Sequence, residues 1–258
     1  MIQTPGKVRV AALAVAASAF FVAIAARSPG RDALRSIVQD QCVPNWQQKK
    51  DPSPCASVSV TEMPREFDGY AVLPDIRGGA HLLLIPVRTI SGIESPQLLE
   101  PQAINYFSPA WQARERLTPI LGHAAPRDDI GLAVNSRQHR SQDQLHIHIE
   151  CLSPDTYTVL QRAADRLSDH EWTPITLAAS QYSALRVLGE DLSATNPFVL
   201  LAQDVPDARE DMGSFTLLVA GMQFKAGPGF AVVIGRRVPG AESLLDPACL
   251  ISERTAAH

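Results

Sequence analysis

Residues 144–151 read Gln-Leu-His-Ile-His-Ile-Glu-Cys, a polar/apolar alternation with two histidines in the polar register. As a strand, this segment would turn Leu145, Ile147, Ile149 and Cys151 toward a core. Gln144, His146, His148 and Glu150 would then line the other face. Histidines at i and i+2 stand ~7 Å apart at their Cα atoms and project in parallel. Three chemistries suit such a pair. Both rings can be structural, hydrogen-bonded in a half-buried sheet. His146, His148 and Glu150 can bind a metal, since His-x-His-x-Glu offers nitrogen and oxygen donors from one face. Or one imidazole can attack an electrophile while its neighbours take up the charge that develops.

The loop before this segment favours the last. Asn135 closes an expected strand, and residues 136–142 (Ser-Arg-Gln-His-Arg-Ser-Gln) are dense in donors. Arg137, Arg140 and Ser141, with Asn135 and Gln144, suit an anionic, oxygen-rich substrate better than a divalent cation. Phosphoryl groups need such positioning and charge stabilisation. The plainer alternative for the two arginines is solvated turn charge. A hydrogen bond from Asn135 or a backbone carbonyl would fix one imidazole's tautomer and leave its other nitrogen free to attack. No cofactor and no metal is expected, and no CxxC motif argues for zinc.

The elements that must carry these residues point to an α+β domain with a largely antiparallel sheet flanked by helices. Strands are expected at 70–73, 82–87, 131–135, 144–151, 198–202, 215–220 and 230–234. Helices are expected at 32–41, 105–117, 154–168 and 207–212, with 44–54 as loop. The helix at 105–117 carries Tyr106, Phe107 and Trp111, which suit core packing better than contact with a base or lipid. Nothing in 32–258 reads as a linker, so that stretch is expected to be one domain. The 258 residues carry a net charge of −4, which gives no support for a nucleic-acid binder. No protein partner can be inferred.

Residues 1–31 differ in kind. Residues 10–26 are an unbroken apolar run preceded by Lys7 and Arg9 and followed by Arg27. As a helix its ~17 residues span about 26 Å, slightly short of a ~30 Å hydrocarbon core. That suits an uncleaved signal anchor or the apolar part of a signal peptide. An exported domain also makes sense of the four cysteines, Cys42, Cys55, Cys151 and Cys249. Four cysteines allow three pairings, and reduced core cysteines are the alternative. Closing the loop between Cys42 and Cys55 would contribute ~3 kcal/mol by chain entropy. Pairing Cys151 with Cys249 would pin the C-terminal tail beneath the histidine strand.

The pattern Gln-φ-His-φ-His-φ (φ apolar) after Asn135 and Ser141 resembles the histidine-triad (HIT) superfamily motif His-φ-His-φ-His-φ-φ. By position the middle histidine, which in that superfamily attacks the α-phosphorus of a nucleotide, corresponds to His146. The third corresponds to His148 and the first to Gln144, a departure from the motif. A narrower resemblance spans most of the chain. Its pieces are the apolar leader, Cys-Val-Pro-Asn at 42–45, Pro-Ser-Pro-Cys at 52–55, Gly-Tyr-Ala-Val-Leu at 69–73, Ala-Trp-Gln-Ala-Arg at 110–114, Ala-Val-Asn-Ser-Arg at 133–137, His-Ile-His-Ile-Glu-Cys at 146–151 and Met-Gly-Ser-Phe at 212–215. Together and in this order they resemble the bacterial CDP-diacylglycerol pyrophosphatases.

That resemblance implies a HIT-like fold and a liponucleotide substrate split to CMP and phosphatidate. It implies His146 as nucleophile, with His148, Gln144, Ser141 and Asn135 positioning it or binding phosphate oxygens. It also gives the leader a purpose. Two acyl chains held in a bilayer resist extraction by ~0.8 kcal/mol per CH₂, and a tethered enzyme avoids extracting them. The expected location is the bacterial inner membrane, single-pass, with a periplasmic catalytic domain. Two rivals follow from the same residues: a metal-dependent phosphohydrolase or metal-binding periplasmic protein using His146, His148 and Glu150, and a HIT-like domain that binds nucleotides without turnover.

Overall fold

The computed structural model describes Met1, residues 30–62 and residues 67–251. The apolar run at 10–26 lies outside the described residues. Among them no helix is long and apolar enough to cross a membrane.

Ten strands of the described residues form one antiparallel sheet. They are β1 (Ser57–Glu62), β2 (Phe67–Pro74), β3 (Leu82–Pro86), β4 (Ile130–Val134), β5 (Ile147–Leu152), β6 (Thr173–Leu177), β7 (Ser180–Leu188), β8 (Phe215–Phe224), β9 (Gly227–Arg236) and β10 (Leu245–Asp246). Their order is β1-β2-β3-β5-β4-β8-β9-β7-β6, with β10 paired to the end of β5. The α+β class with a large antiparallel sheet is as expected.

One sheet face buries Leu82, Leu84, Ile130, Leu132, Ile147, Ile149, Val219 and Val232 against Phe107, Trp111, Phe198 and Leu201. Trp111 meets Phe230 edge-on at 4.8 Å and Phe107 packs on Phe198 at 4.9 Å. These aromatics, with Tyr106, are core. The other face is divided. Leu83 and Ile85 pack with Val38 and Val43 of the N-terminal helical segment. Ala133, Leu152 and Leu218 pack with Leu160 and Ala163 of the helix Pro154–Ala163.

Several elements differ from expectation, each for a local reason. The helical segment does not stop at residue 41. It runs from Ala33–Ser36 through a π turn, Ile37–Cys42, into Val43–Lys49. A proline ring clashes with a regular helix one turn back, and the wider turn comes directly before Pro44. The run at 198–202 is helix, Pro197–Asp204, not strand. Asn196 caps it by accepting from the Phe198 N–H at 3.1 Å, and Pro197 occupies its first position. The segment 207–210 is turn, with Asp207 at φ 59°, and Met212 opens a short 3-10 helix, Met212–Ser214. The β6–β7 hairpin turns on Ala178 and Ala179, both at positive φ.

Cys42 pairs with Cys55 and Cys151 with Cys249, with Cα separations of 5.6 and 5.1 Å. Cys151 belongs to the apolar register of β5, so the tail is fastened on the face away from the histidines.

Candidate active site

β5 is the middle of the construction. His148 lies opposite Leu83 of β3 on one side and Ala133 of β4 on the other. Its odd-numbered neighbours enter the main core, so the even ones emerge on the divided face. There they fall between the two apolar clusters. The strip they form is completed by His81, just before β3, and by Asn135, just after β4. His81, Asn135, His146, His148 and Glu150 are all buried.

His146 is held by a backbone contact. Its Nδ1 lies 2.8 Å from the Gln144 carbonyl oxygen. A carbonyl only accepts, so Nδ1 carries the hydrogen and Nε2 carries the lone pair. Burial pushes the His146 imidazole below its usual range, outweighing the backbone bond and the carboxylates of Glu242 and Asp75. The ring is therefore neutral near pH 7, the state a nucleophile needs. It meets the His148 ring edge-on, centroids 4.9 Å apart. Burial also drives His148 well down, helped by His146, His81 and Arg77.

Around His148 lies a network not foreseen from the sequence. His148 Nδ1 is 3.0 Å from His81 Nε2, and Glu150 Oε1 is 2.9 Å from that same nitrogen. His81 Nδ1 faces Asp75 Oδ2 at 3.6 Å, and His148 Nε2 faces Glu242 Oε2 at 3.4 Å. Arg77 links the two outer carboxylates, with Nε 3.0 Å from Asp75 and Nη1 2.6 Å from Glu242. Burial raises the Glu150 carboxyl, against the lowering effect of His81. One ligand atom each from His81, His148 and Glu150 lies within 4.8 Å of the others, a grouping able to hold a metal ion. His146 is not in that group, which differs from the expected His146, His148, Glu150 set.

The sequence-predicted residues divide. Asn135 joins the network: its Nδ2 donates to Glu242 Oε2 at 3.1 Å, and its Oδ1 accepts from the Glu242 N–H at 3.1 Å. Gly240 makes this approach possible, since a Cβ there would lie 2.5 Å from Asn135 Oδ1. Gln144 does not line up with the histidines. It is fully buried, and its Nε2 donates to the carbonyls of Pro86 and Arg88 at 2.9 and 2.8 Å. It thus staples the approach to β5 onto the end of β3, which steadies its own carbonyl under His146.

Arg140 is committed elsewhere. Its Nη1 bonds both Glu94 oxygens at 2.7 Å, while Nε and Nη2 reach Asp143 Oδ1 at 3.1 and 3.0 Å. It fastens the 136–142 loop. Arg137 is exposed, 3.6 Å from Glu94, and its N–H donates to the Gly213 carbonyl at 2.9 Å, so the Met-Gly-Ser piece at 212–214 meets this loop through its backbone. Ser141 is exposed on the same loop, whereas Ser136 is buried with its Oγ 3.0 Å from His139 Nδ1.

The residues that sequence reasoning missed are His81, Asp75, Arg77 and Glu242. His81 has one signal: it shares the i, i+2, i+4 face with Leu83 and Ile85. The unbroken apolar run at 82–85 hides it. Glu242 has no local signal at all, arriving on a short turn, Ala241–Leu244, far along the chain.

These features define an α+β protein with a buried, histidine-lined polar site at the centre of an antiparallel sheet. A family model described as CDP-diacylglycerol pyrophosphatase matches residues 29–253, and the chain belongs to that family. Its activity is accordingly that of a hydrolase acting on the pyrophosphate bond of CDP-diacylglycerol.

Proposed function

We propose that the chain cleaves CDP-diacylglycerol through a covalent nucleotidyl-histidine on His146, within a HIT-like domain spanning 32–258. Nε2 of His146 attacks the CMP-side phosphorus, the bond from that phosphorus to the bridging oxygen breaks, and phosphatidate leaves. A water oxygen then displaces the nitrogen, releasing CMP and restoring the imidazole. The observation that carries this reading is the bond from His146 Nδ1 to the Gln144 carbonyl, which leaves Nε2 as the nitrogen with the lone pair. Glu242, held by Asn135 and Arg77, places a carboxylate 3.4 Å from Nε2 of the neighbouring His148. Arg137, exposed at the rim, and Ser141 are the donors available to phosphate oxygens. One well-placed donor can be worth about 3–4 kcal/mol in a transition state.

The domain is tethered to the inner membrane by residues 10–26 and faces the periplasm. The apolar run itself supports this, as do two disulfides, which suit an oxidising compartment. Denaturing the protein in alkaline detergent during turnover of cytidine-labelled substrate tests the chemistry. Wild type is expected to retain label in an acid-labile bond and His146→Ala to retain none. An unlabelled wild type, or normal turnover by His146→Ala, would overturn the assignment.

A further inference from the structure

The nucleophile leaves three groups unused: His81, Glu150 and the Nδ1 side of His148. We propose that these side chains bind one divalent transition-metal ion, zinc by the donor set, behind His146. The three atoms are spaced for it. His81 Nε2 is 2.9 Å from Glu150 Oε1 and 3.0 Å from His148 Nδ1, and the latter two are 3.7 Å apart. The point equidistant from all three lies about 1.9 Å from each, close to Zn–N and Zn–O bonds of about 2.0–2.2 Å. Two histidines and a glutamate form a common three-ligand zinc set with a fourth position left over.

The surroundings match as well. A histidine that ligates a metal through one nitrogen typically presents the other to a carboxylate. Both do so here: His81 Nδ1 faces Asp75 and His148 Nε2 faces Glu242. With hydrogens on those outer nitrogens, His81 Nε2 and His148 Nδ1 both point lone pairs inward, beside a carboxylate oxygen. A metal ion bound to all three reconciles them. A single proton between the two histidines leaves Glu150 Oε1, on a side chain 2% exposed, buried without a hydrogen-bond partner among the described residues. Charge points the same way, since Asp75, Glu150 and Glu242 are set against the single guanidinium of Arg77. A divalent ion would balance that excess in a site that receives a pyrophosphate.

The ion is a positioning element. It ties the residue preceding β3 to β5 and fixes the ring of His148 beside His146. The site stands whether or not His146 carries a nucleotidyl group. Metal content and activity therefore fail separately. The test uses the full chain without a polyhistidine tag, stripped of loose metal by gel filtration and analysed by plasma mass spectrometry. About one zinc per chain is expected. Glu150→Gln and His81→Gln are expected to lose it, and Asp75→Asn to weaken zinc affinity about 10–100-fold. His170→Ala, at an exposed histidine, keeps it.

Should a ligand variant misfold, wild type refilled with Co²⁺ still answers through its visible d–d absorption, which reports nitrogen and oxygen ligands in low symmetry. Wild type that takes up neither Zn²⁺ nor Co²⁺ from micromolar solutions would overturn the proposal. So would Glu150→Gln with undiminished zinc, or loss of the metal on His170→Ala.

Discussion

Replacing Gln144 by leucine tests the logic of the site more directly than removing a histidine. The side chain makes two buried hydrogen bonds, to the carbonyls of Pro86 and Arg88. Each is worth about 1 kcal/mol net, and a buried carbonyl left without its donor adds about 1 kcal/mol or more. Against this, Gln144 Oε1 is itself buried without a hydrogen-bond partner among the described residues, and leucine removes that burden. Leucine has similar bulk, so no large cavity opens. The balance is a destabilisation of about 2–3 kcal/mol. In a domain of this size that corresponds to a Tm lower by about 4–12 °C, measured by circular dichroism with disulfides intact. Activity measured well below the new Tm should fall as well, because the staple holds the carbonyl that orients His146. A loss under 0.5 kcal/mol with unchanged CMP release would show that the backbone holds this geometry without the side chain, and the staple argument would be wrong.

Other perturbations follow from the same contacts. Asn135→Ala frees Glu242 at both its backbone and its carboxylate, and CMP release should drop about tenfold or more, or about 1.4 kcal/mol. Arg140→Met strands Glu94 and Asp143 and should cost about 2–3 kcal/mol in urea unfolding, less than a fully buried pair because Asp143 is partly exposed. Burial raises the Glu94 carboxyl, but its bonds to Arg140 outweigh this and hold it below 4.5. A depressed carboxyl contributes stability that is present above its unfolded value and lost as pH falls through the folded one. Acid titration of wild type should therefore show a loss below pH 4.5 that is reduced in Arg140→Met. The Cys151→Ala/Cys249→Ala double variant opens a loop of 98 residues and should lose about 4–5 kcal/mol, seen as a fall in Tm.

The alternation at 144–151 was legible because a strand with one face in the core must place every second residue there. That rule holds inside the ladder, which begins at Ile147. Gln144 stands three residues earlier and turns back to the end of β3, so it leaves the row in which alternation puts it. The helix at Pro197–Asp204 was misread because Phe-Val-Leu-Leu-Ala has no period to separate a buried helix from a buried strand. The cap Asn196 and Pro197 were the better guide. The β6–β7 hairpin escaped notice because its turn uses two alanines where glycine or asparagine is the usual signal for positive φ. Of the site, the β5 histidines and Asn135 could be read from local spacing. His81, Arg77 and Glu242 meet them only through sheet pairing and a long return of the chain, which no local pattern encodes.

The position of Glu242 has a consequence for the order of events in the cell. The carboxylate facing His148 lies on the turn before β10, and β10 and Cys249 dock on the end of β5. Everything else in the cluster is synthesised at least 90 residues earlier. Until that docking, the histidines lack the carboxylate that faces His148. The site is therefore complete only when the chain after β9 has returned to the end of β5.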